Sequence, residues 1–538
     1  MIDIPNHNLI EMFRNVADQH KNQPATFFKG KIKTYADIEQ EVNKLANGLQ
    51  KLGVKKGDRV AVYLPNSPQF FVTFFAVQSL GAIFTAFNPL YSAREIKERL
   101  NDAKPKIFVT LDIFLDKVKA IKDDISVEHI IVTTIDRELP PSKKYIYKII
   151  TARQKQKLPG SLNYSDIIKS GENKPINTPI DMEKDVAVLQ YTGGTTGTSK
   201  GAMLTHKNII SQTTVLQYWK NKLEEQPKGQ IKIAGVLPYA HIFGLTSSFL
   251  WPVSEGATIY LVPDPRQLEE VMKLIDKYRI HFLYCVPVFF QKFATHKKVN
   301  KYDLSSILLS ISGGESLPKP TVEIYEEKTG SLLIEGYGLT EASPVTHVNP
   351  PNHKYRKIGS IGVTVPNTKA KIINPETNRE INTPGVPGEL WVKGPSVMKG
   401  YWNQEKETKN TLRDGWLRTG DIATKSPKGY YKIIDRLKDM IIVSGFKVWP
   451  NEVEDILLTH PAILEAAVIG HKTELGTKLK AVIVRKPNQK KLSLDEIRSF
   501  CKQNLAAYKV PKFVEYRDEL PRSSVGKLLR RELRSDAT

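Results

Sequence analysis

The sequence predicts an α/β protein: a large N-terminal domain of layered α/β subdomains with a β-rich portion, then a small α+β domain at the C-terminus. Three observations lead there. Apolar strand-like runs alternate with segments of helical period, the pattern of layered and largely parallel sheets. A Gly/Pro-rich, β-leaning stretch follows, with Pro384-Gly385-Val386-Pro387-Gly388 as a turn. Beyond Asp435-Arg436-Leu437-Lys438-Asp439 the texture changes again, and about 100 residues remain, enough for a small separate domain. These boundaries divide the chain into residues 1–434, a junction at 435–438, and residues 439–538.

The elements follow in chain order. Arg59-Val60-Ala61-Val62-Tyr63 and Lys106-Ile107-Phe108-Val109-Thr110 are strands rich in β-branched and aromatic residues. Phe70 to Phe87 is uncharged and long enough to raise the question of a membrane span. Gln78, Ser79 and Gly81 interrupt it, so it reads as a buried helix, Ser67 to Ser79, turning at Gly81 into a strand, Ala82 to Phe87. The strand Val186-Ala187-Val188-Leu189 leads into a glycine-rich loop. Leu268 to Tyr278 is helical by period, and Phe282 to Val286 is the next strand. Ile307 to Ile311 is another, then a helix from Pro318, then Leu332-Leu333-Ile334. In the last hundred residues the pattern is a short strand, a helix from about Pro450, a strand Ala466 to Ile469, and a helix from about Ser493. No internal repeat or low-complexity tract appears.

Composition narrows the function classes. Of 538 residues, 40% are hydrophobic and 25% charged, an ordinary globular balance. Two cysteines, Cys285 and Cys501, exclude a disulfide framework and a cysteine-rich zinc module. Met1 to Pro5 lacks the basic start and apolar run of a secretory signal, which points to a cytoplasmic protein. The net charge of +22 favours anionic partners. Residues 439–538 hold 18 lysines and arginines against 13 acids, near their proportional share, so the excess is not a basic tail. No nucleic-acid-binding signature accompanies it. One local run, Lys143 to Lys157, has six basic residues and no acid, with Ile146, Ile149 and Ile150 on one helical face. It reads either as an interfacial helix on an anionic membrane or as a solvated surface helix.

The chemistry resides in six motifs. Tyr191-Thr192-Gly193-Gly194-Thr195-Thr196-Gly197-Thr198-Ser199-Lys200-Gly201 offers backbone N–H groups, hydroxyls and one cation to phosphate oxygens. It follows a strand, yet has no Walker A spacing, so kinase-like and GTPase-like chemistry lose support. Glu335-Gly336-Tyr337-Gly338-Leu339-Thr340-Glu341 sets an aromatic ring beside a hard oxygen ligand. Leu237-Pro238-Tyr239-Ala240-His241-Ile242-Phe243-Gly244 carries one histidine in an apolar stretch. No second His or Cys stands at metal-ligand spacing, and no Ser-His-Asp or Cys-His signature appears. Gly415-Trp416-Leu417-Arg418-Thr419-Gly420-Asp421, the Asp435–Asp439 junction and Pro521-Arg522-Ser523-Ser524-Val525-Gly526-Lys527 complete the set.

In chain order the motifs resemble those of the acyl-adenylate-forming enzymes: acyl-CoA synthetases, coumarate-CoA ligases, adenylation domains and luciferases. Ser444-Gly445-Phe446-Lys447-Val448-Trp449-Pro450-Asn451-Glu452 and Tyr508-Lys509-Val510-Pro511-Lys512 look most like bacterial-type long-chain fatty acid–CoA ligases. The resemblance implies ATP, Mg²⁺ and coenzyme A as co-substrates and cofactor. It carries phosphate contacts to Thr192, Gly193, Gly194, Thr195, Thr196, Gly197, Thr198 and Lys200. It makes Gly314, Glu335, Gly336, Tyr337, Gly338, Asp421 and Ile433 cofactor-binding, with Tyr337 stacking on adenine and Asp421 accepting from the ribose hydroxyls, and gives Arg436 a reach to ribose or phosphate. Thr340 meets a nucleotide phosphate, Glu341 binds Mg²⁺ directly or through water, and His241 sits in the acyl pocket near the substrate carboxylate. Phe243, Tyr284, Cys285, Val286, Gly313, Gly314 and Gly338 join it in the acyl channel, where the small residues would admit a chain past the sheet. Lys527 serves adenylation, and its ammonium suits charge developing between carboxylate and α-phosphate. The C-terminal domain is expected to be mobile, swinging about residues 435–438 so that Gly445, Phe446 and Lys447 replace Lys527 for thioester formation.

The expected reaction is fatty acid + ATP + CoA giving acyl-CoA, AMP and pyrophosphate. Ligation of a short-chain or aryl acid is the alternative, as is an acyl-AMP ligase loading a carrier protein. An amino-acid adenylation domain is disfavoured because Pro238 to His241 lacks an acidic partner for an ammonium group. A non-catalytic lipid- or nucleotide-binding scaffold is the rival from another class. Family members are often homodimers, which extends the expectation to this chain.

Overall fold

The uncharged run near residue 70 is a buried helix that does not span a membrane. In the computed structural model it is Pro68–Ser79, with every residue buried and Ser67 Oγ accepting from Phe70 N at 3.4 Å. Gly81 takes a left-handed φ of +61°, and the chain leaves as the strand Ile83–Ala86. The helix is apolar all round because every one of its faces is covered by the rest of the protein. Among the described residues no helix is long and apolar enough to cross a membrane. The structure describes residues 1–145, 158–192, 199–443, 446–473, 476–522 and 528–535.

These residues group into two compact units. The first comprises Met1–Lys369 and Lys393–Leu417; the second comprises Ala370–Val392 and Arg418–Thr538. The sequence reading set its junction at 435–438, whereas packing gathers residues 370–392 and 418–434 with the C-terminal hundred. Packing reports which strands share a sheet, a different property from where a chain pivots, and the pivot remains a proposal.

The first unit holds two large mixed sheets. One runs, in spatial order, Val363–Thr364, Val345–Val348, Leu332–Gly338, Leu309–Ser312, Phe282–Cys285, Lys232–Gly235, Thr258–Leu261, Pro24–Phe28 and Lys31–Thr34. Its six central strands are parallel, while the strands beyond Leu332–Gly338 and Pro24–Phe28 are antiparallel. The other runs Gly400–Tyr401, Gly201–Thr205, Val186–Tyr191, Ile83–Ala86, Arg59–Tyr63, Ile107–Leu111, His129–Thr133 and Leu162–Asn163. Parallel strands need both faces covered, and the near-continuous apolar runs of the sequence supply this. Phe70, Phe71, Phe74 and Phe75 of the buried helix pack edge-on around Phe249.

The strand Trp416–Lys425 pairs with Tyr431–Arg436, and in the second unit Ile441–Val443 pairs antiparallel with Phe446–Val448. Ile463–Thr473 pairs antiparallel with Gly476–Arg485, which takes Phe513–Tyr516 as a parallel third strand. Helices Pro450–Leu458 and Leu494–Lys502 cover it, the latter opened by a Ser493 capping box with Glu496. The α/β class, with a large mixed N-terminal portion and a smaller C-terminal one, is as the sequence predicts.

Candidate active site

The glycine-rich loop is closed at its base. Strands Val186–Tyr191 and Gly201–Thr205 pair antiparallel, and Thr192 N donates to Lys200 O at 2.9 Å. Ser199 Oγ donates to Thr192 O at 2.8 Å. A Cβ on Gly201 would lie 2.8 Å from Leu189 Cδ1, so a larger residue there would displace that side chain. Residues Gly193, Gly194, Thr195, Thr196, Gly197 and Thr198 lie outside the described residues. Lys200 is half-buried, paired with Glu407, and its Nζ stands 5.2 Å from the ring centroid of Tyr401.

Glu335 to Gly338 lies on a strand, not a loop. Gly336 faces Val348, Tyr337 faces His347 and, past a bulge, Gly338 faces Val345. Tyr337 and His347 meet edge to face, centroids 5.9 Å apart. A Cβ on Gly338 would sit 2.0 Å from Pro344 O, so backbone occupies the place of a side chain. Thr340 and Glu341 open a 3₁₀ turn, Thr340–Ala342. The turn is clamped by buried Gln212, whose Nε2 donates to Ala342 O at 3.2 Å and Val345 O at 2.9 Å. Glu341 O accepts from Met398 N at 2.8 Å, and Glu341 Oε1 from Tyr401 Oη at 2.6 Å.

The His241 segment meets this strand through glycines. A Cβ on Gly313 would stand 3.1 Å from Phe243 Cε1 and 3.2 Å from Gly336 O. Gly314 has φ +90°, a conformation glycine adopts without strain, and Val286 Cγ1 is its nearest neighbour. His241 is half-buried, and its Nδ1 accepts from Phe243 N at 3.3 Å. Gly244 starts a π-helical turn to Leu250, with Pro238 O at 2.3 Å from where its Cβ would stand. Gln190, on the strand entering the phosphate loop, donates from Nε2 to Ala240 O at 2.8 Å. Asn66 holds the preceding bend, its Nδ2 donating to Gly235 O and Leu237 O and its Oδ1 accepting from Tyr239 N. Tyr284 and Cys285 are buried, and burial pushes the Cys285 thiol up to about 12, which keeps it protonated and unreactive.

The second unit carries the other candidates. Asp421 and Arg436 are cross-strand partners, with Arg436 Nε 3.2 Å from Asp421 Oδ1. Asp421 is buried; Gly420 before it has φ +71°, and Thr419 Oγ1 accepts from Asp421 N at 3.1 Å. Ile433 faces Ala423 on the same pair of strands. Asp435 is buried and accepts from Asn451 N at 2.8 Å and Arg436 N at 2.7 Å, tying its strand to the helix Pro450–Leu458. Phe446 is exposed and stacks on Tyr508 at 4.6 Å, and Lys447 pairs with Glu376. Gly445 and Lys527 lie outside the described residues.

Sequence reasoning missed Asn66, Gln190, Gln212, Tyr401 and Glu407. A signal existed for Gln190: an amide inside an apolar run must find backbone partners. Among the described residues no group of three or more His, Cys, Asp or Glu is arranged to hold a metal ion. Mg²⁺ on a nucleotide takes one or two carboxylates and completes its shell with phosphates and water. Glu341 fits: a half-buried carboxylate with one oxygen held by a hydroxyl still has lone pairs to offer.

Paired strands flanking the Gly/Thr-rich segment, an aromatic–glycine strand leading to a carboxylate, and a two-sheet scaffold are the framework that the resemblance to adenylate-forming enzymes implies. Residues 13–402 match the AMP-binding enzyme family, and residues 452–527 match the AMP-binding enzyme C-terminal domain. The chain belongs to this family. It is 40% identical over 544 residues to a long-chain-fatty-acid–CoA ligase of Bacillus subtilis, covering 100% of this chain and 96% of that protein. It is 38% identical over 540 residues to the enzyme of the same name from Escherichia coli O6:H1, covering 98% and 94%. Among solved structures, the anthranilate CoA ligase AuaEII with anthranoyl-AMP superposes with a TM-score of 0.87 at 27% identity, covering 100% of this chain and 98% of that one. ATP-bound MatB from Rhodopseudomonas palustris gives 0.86 at 28%, covering 98% and 99%.

Proposed function

We propose that this chain is an AMP-forming ligase that activates medium- to long-chain fatty acids and transfers them to coenzyme A. The observation that carries the reading is similarity at 36–40% identity, over nearly the whole chain, to long-chain-fatty-acid–CoA ligases from several bacteria. In the first half-reaction a carboxylate oxygen attacks the α-phosphorus of ATP, an acyl–O–P bond forms, and pyrophosphate leaves. In the second the thiol sulfur attacks the acyl carbonyl, AMP leaves, and the thiol proton is released.

The chain's residues act mainly by position and charge, as phosphoryl transfer requires. The loop from Thr192 to Lys200 cradles phosphates, and Lys200 adds a positive charge. Tyr337 stacks on adenine, and Thr340 and Glu341 face the phosphates from the turn that Gln212 clamps. Mg²⁺, when bound, neutralises charge between phosphate oxygens, with Glu341 as its protein ligand. His241 and Phe243 line the entry of the acyl chain. Asp421 accepts hydrogen bonds from the ribose hydroxyls with Arg436 beside it. Lys527 meets the developing charge of adenylation, and a pivot at residues 435–438 exchanges it for Gly445, Phe446 and Lys447. The basic run at 143–157 is proposed to touch anionic membrane from the cytoplasmic side; its residues 146–157 lie outside the described residues.

Pyrophosphate release measured across acids from C2 to C18, with and without coenzyme A, tests the reading. The expected optimum lies between C8 and C18, with thioester formed only when the thiol is present. Anthranilate and benzoate ligases share the fold, so aryl acids belong in the panel. An optimum at acetate or at an aryl acid would overturn the fatty-acid assignment and leave the ligase class standing. Transfer to a carrier protein in preference to coenzyme A would replace the second half-reaction.

A further inference from the structure

We infer that Tyr401 is a positioning residue for the phosphate end of the nucleotide: its hydroxyl fixes the Glu341 carboxylate while its ring supports the Lys200 ammonium. The inference rests on the roles proposed above for Glu341 and Lys200. Those two residues are 141 apart in sequence and come from different motifs. One buried side chain from a third segment touches both. Tyr401 Oη lies 2.6 Å from Glu341 Oε1, and Lys200 Nζ is 5.2 Å from the Tyr401 ring centroid.

The segment that carries Tyr401 is fastened on every side to the same two motifs. Gly400 and Tyr401 extend the sheet by pairing with Met203 and Ala202, just beyond the phosphate loop. Trp402 N donates to Gly201 O at 2.8 Å, and Met398 N donates to Glu341 O at 2.8 Å. Tyr401 N donates to Thr408 Oγ1 at 2.8 Å, locking the backbone to the helix Glu405–Thr411. That helix presents Glu407, the carboxylate paired with Lys200. Gly400 must be glycine for this fit, since a Cβ would stand 2.7 Å from Thr408 Cγ2. A tyrosine held this tightly has no freedom to follow Glu341; it sets where the carboxylate points. Its hydroxyl occupies one carboxylate oxygen and orients the group, and its ring face offers the lysine a cation–π seat when phosphate draws it from Glu407.

Equilibrium binding separates this role from a packing role. Titration calorimetry of Mg·ATP, metal-free ATP and AMP is carried out on wild type, Tyr401→Phe, Tyr401→Leu and Glu341→Gln, without acid or thiol so that nothing turns over. Tyr401→Phe keeps the ring and loses the hydroxyl. It is expected to weaken Mg·ATP binding by about tenfold, the size of one hydrogen bond to a charged group, with AMP and metal-free ATP within about twofold of wild type. Tyr401→Leu also removes the ring and is expected to weaken metal-free ATP as well. Wild-type Mg·ATP affinity in Tyr401→Phe, or an equal loss for AMP, would overturn the inference. If Glu341→Gln leaves the gain from Mg²⁺ unchanged, the role of Glu341 fails and the inference falls with it. If Glu341→Gln abolishes that gain and Tyr401→Phe does not reduce it, only Tyr401 is at fault.

Discussion

Gly338 has two candidate reasons to be a glycine, and the structure separates them. The sequence suggests that a small residue there admits an acyl chain. The geometry gives a prior reason: Pro344 O stands 2.0 Å from where a Cβ would be, so the bulge between the two strands closes only over a glycine. Gly338→Ala is therefore expected to push the strand off its partner, at a cost of about 1–3 kcal/mol in stability. It should impair turnover of every acid, short or long, because Thr340 and Glu341 follow on the same backbone. Steady-state kinetics on C8 and C16 acids, with a urea unfolding curve, check this. Selective loss of the longer acid with unchanged stability would restore the channel as the reason. Asp421 and Arg436 carry a related lesson: read singly, each is a nucleotide contact, yet they are also cross-strand partners 3.2 Å apart, so neither can be replaced without changing the other's charge environment.

In the second unit a buried ion pair ties the last helix to the apolar core. Glu454 on the helix Pro450–Leu458 is buried, and both its oxygens are engaged: Oε1 accepts from Val468 N at 2.7 Å and Oε2 from Arg530 at 2.6 Å. Arg530 also donates to Asn451 Oδ1 at 2.6 Å, so one guanidinium fastens the short C-terminal helix Arg530–Ser535 to that longer helix. Removing one partner of such a pair strands the other's charge, while removing both does not. Arg530→Ala is expected to cost about 3–5 kcal/mol, and Arg530→Met with Glu454→Gln markedly less. Hydrogen exchange of amides in the Ile463–Thr473 strand would register the difference; equal losses would mean that packing, not charge, holds the helix. Much of this architecture was legible in advance. Leu268–Tyr278 and Arg59–Tyr63 fall where period and β-branching place them, and Ser67 and Ser493 cap the helices they precede. The Leu332 strand extends through the motif to Gly338, because its partner Val345–Val348 arrives only after a turn with no strand signature. Tyr401 escaped for the same reason: nothing local marks a tyrosine whose partners are Glu341 and Lys200. Positions of contact across long sequence separations are set by sheet order, which a single sequence does not encode as a pattern.

Across the whole molecule, charge sets the response to acid. Three histidines of the first unit are held neutral by burial: His206 and His281 are lowered to about 4 and His347 to about 3. Burial is the leading cause in each; at His206 Asp185 opposes it and Lys56 adds to it, and at His281 Lys232 and Arg279 add to it. Each folded value lies below the ordinary 6.5, so as pH falls the unfolded chain takes up protons first. Stability is full above about pH 6.5 and is lost progressively toward pH 4, by about 3 kcal/mol from His206 alone. The net charge of +22 pushes the same way, since further protonation adds to self-repulsion. Salt tells the two causes apart. Repulsion among surface charges is screened within about 8 Å at physiological ionic strength, whereas the penalty for charging a buried imidazole is not. Urea midpoints for the first unit, taken from pH 7 to pH 4 at low and high salt, should keep most of their slope when salt is added. His206→Asn retains an acceptor for Leu9 N, which His206 Nδ1 meets at 3.4 Å, and should flatten the slope without abolishing the fold. A slope that vanishes in salt would assign the acid response to the basic surface and leave the buried histidines as spectators.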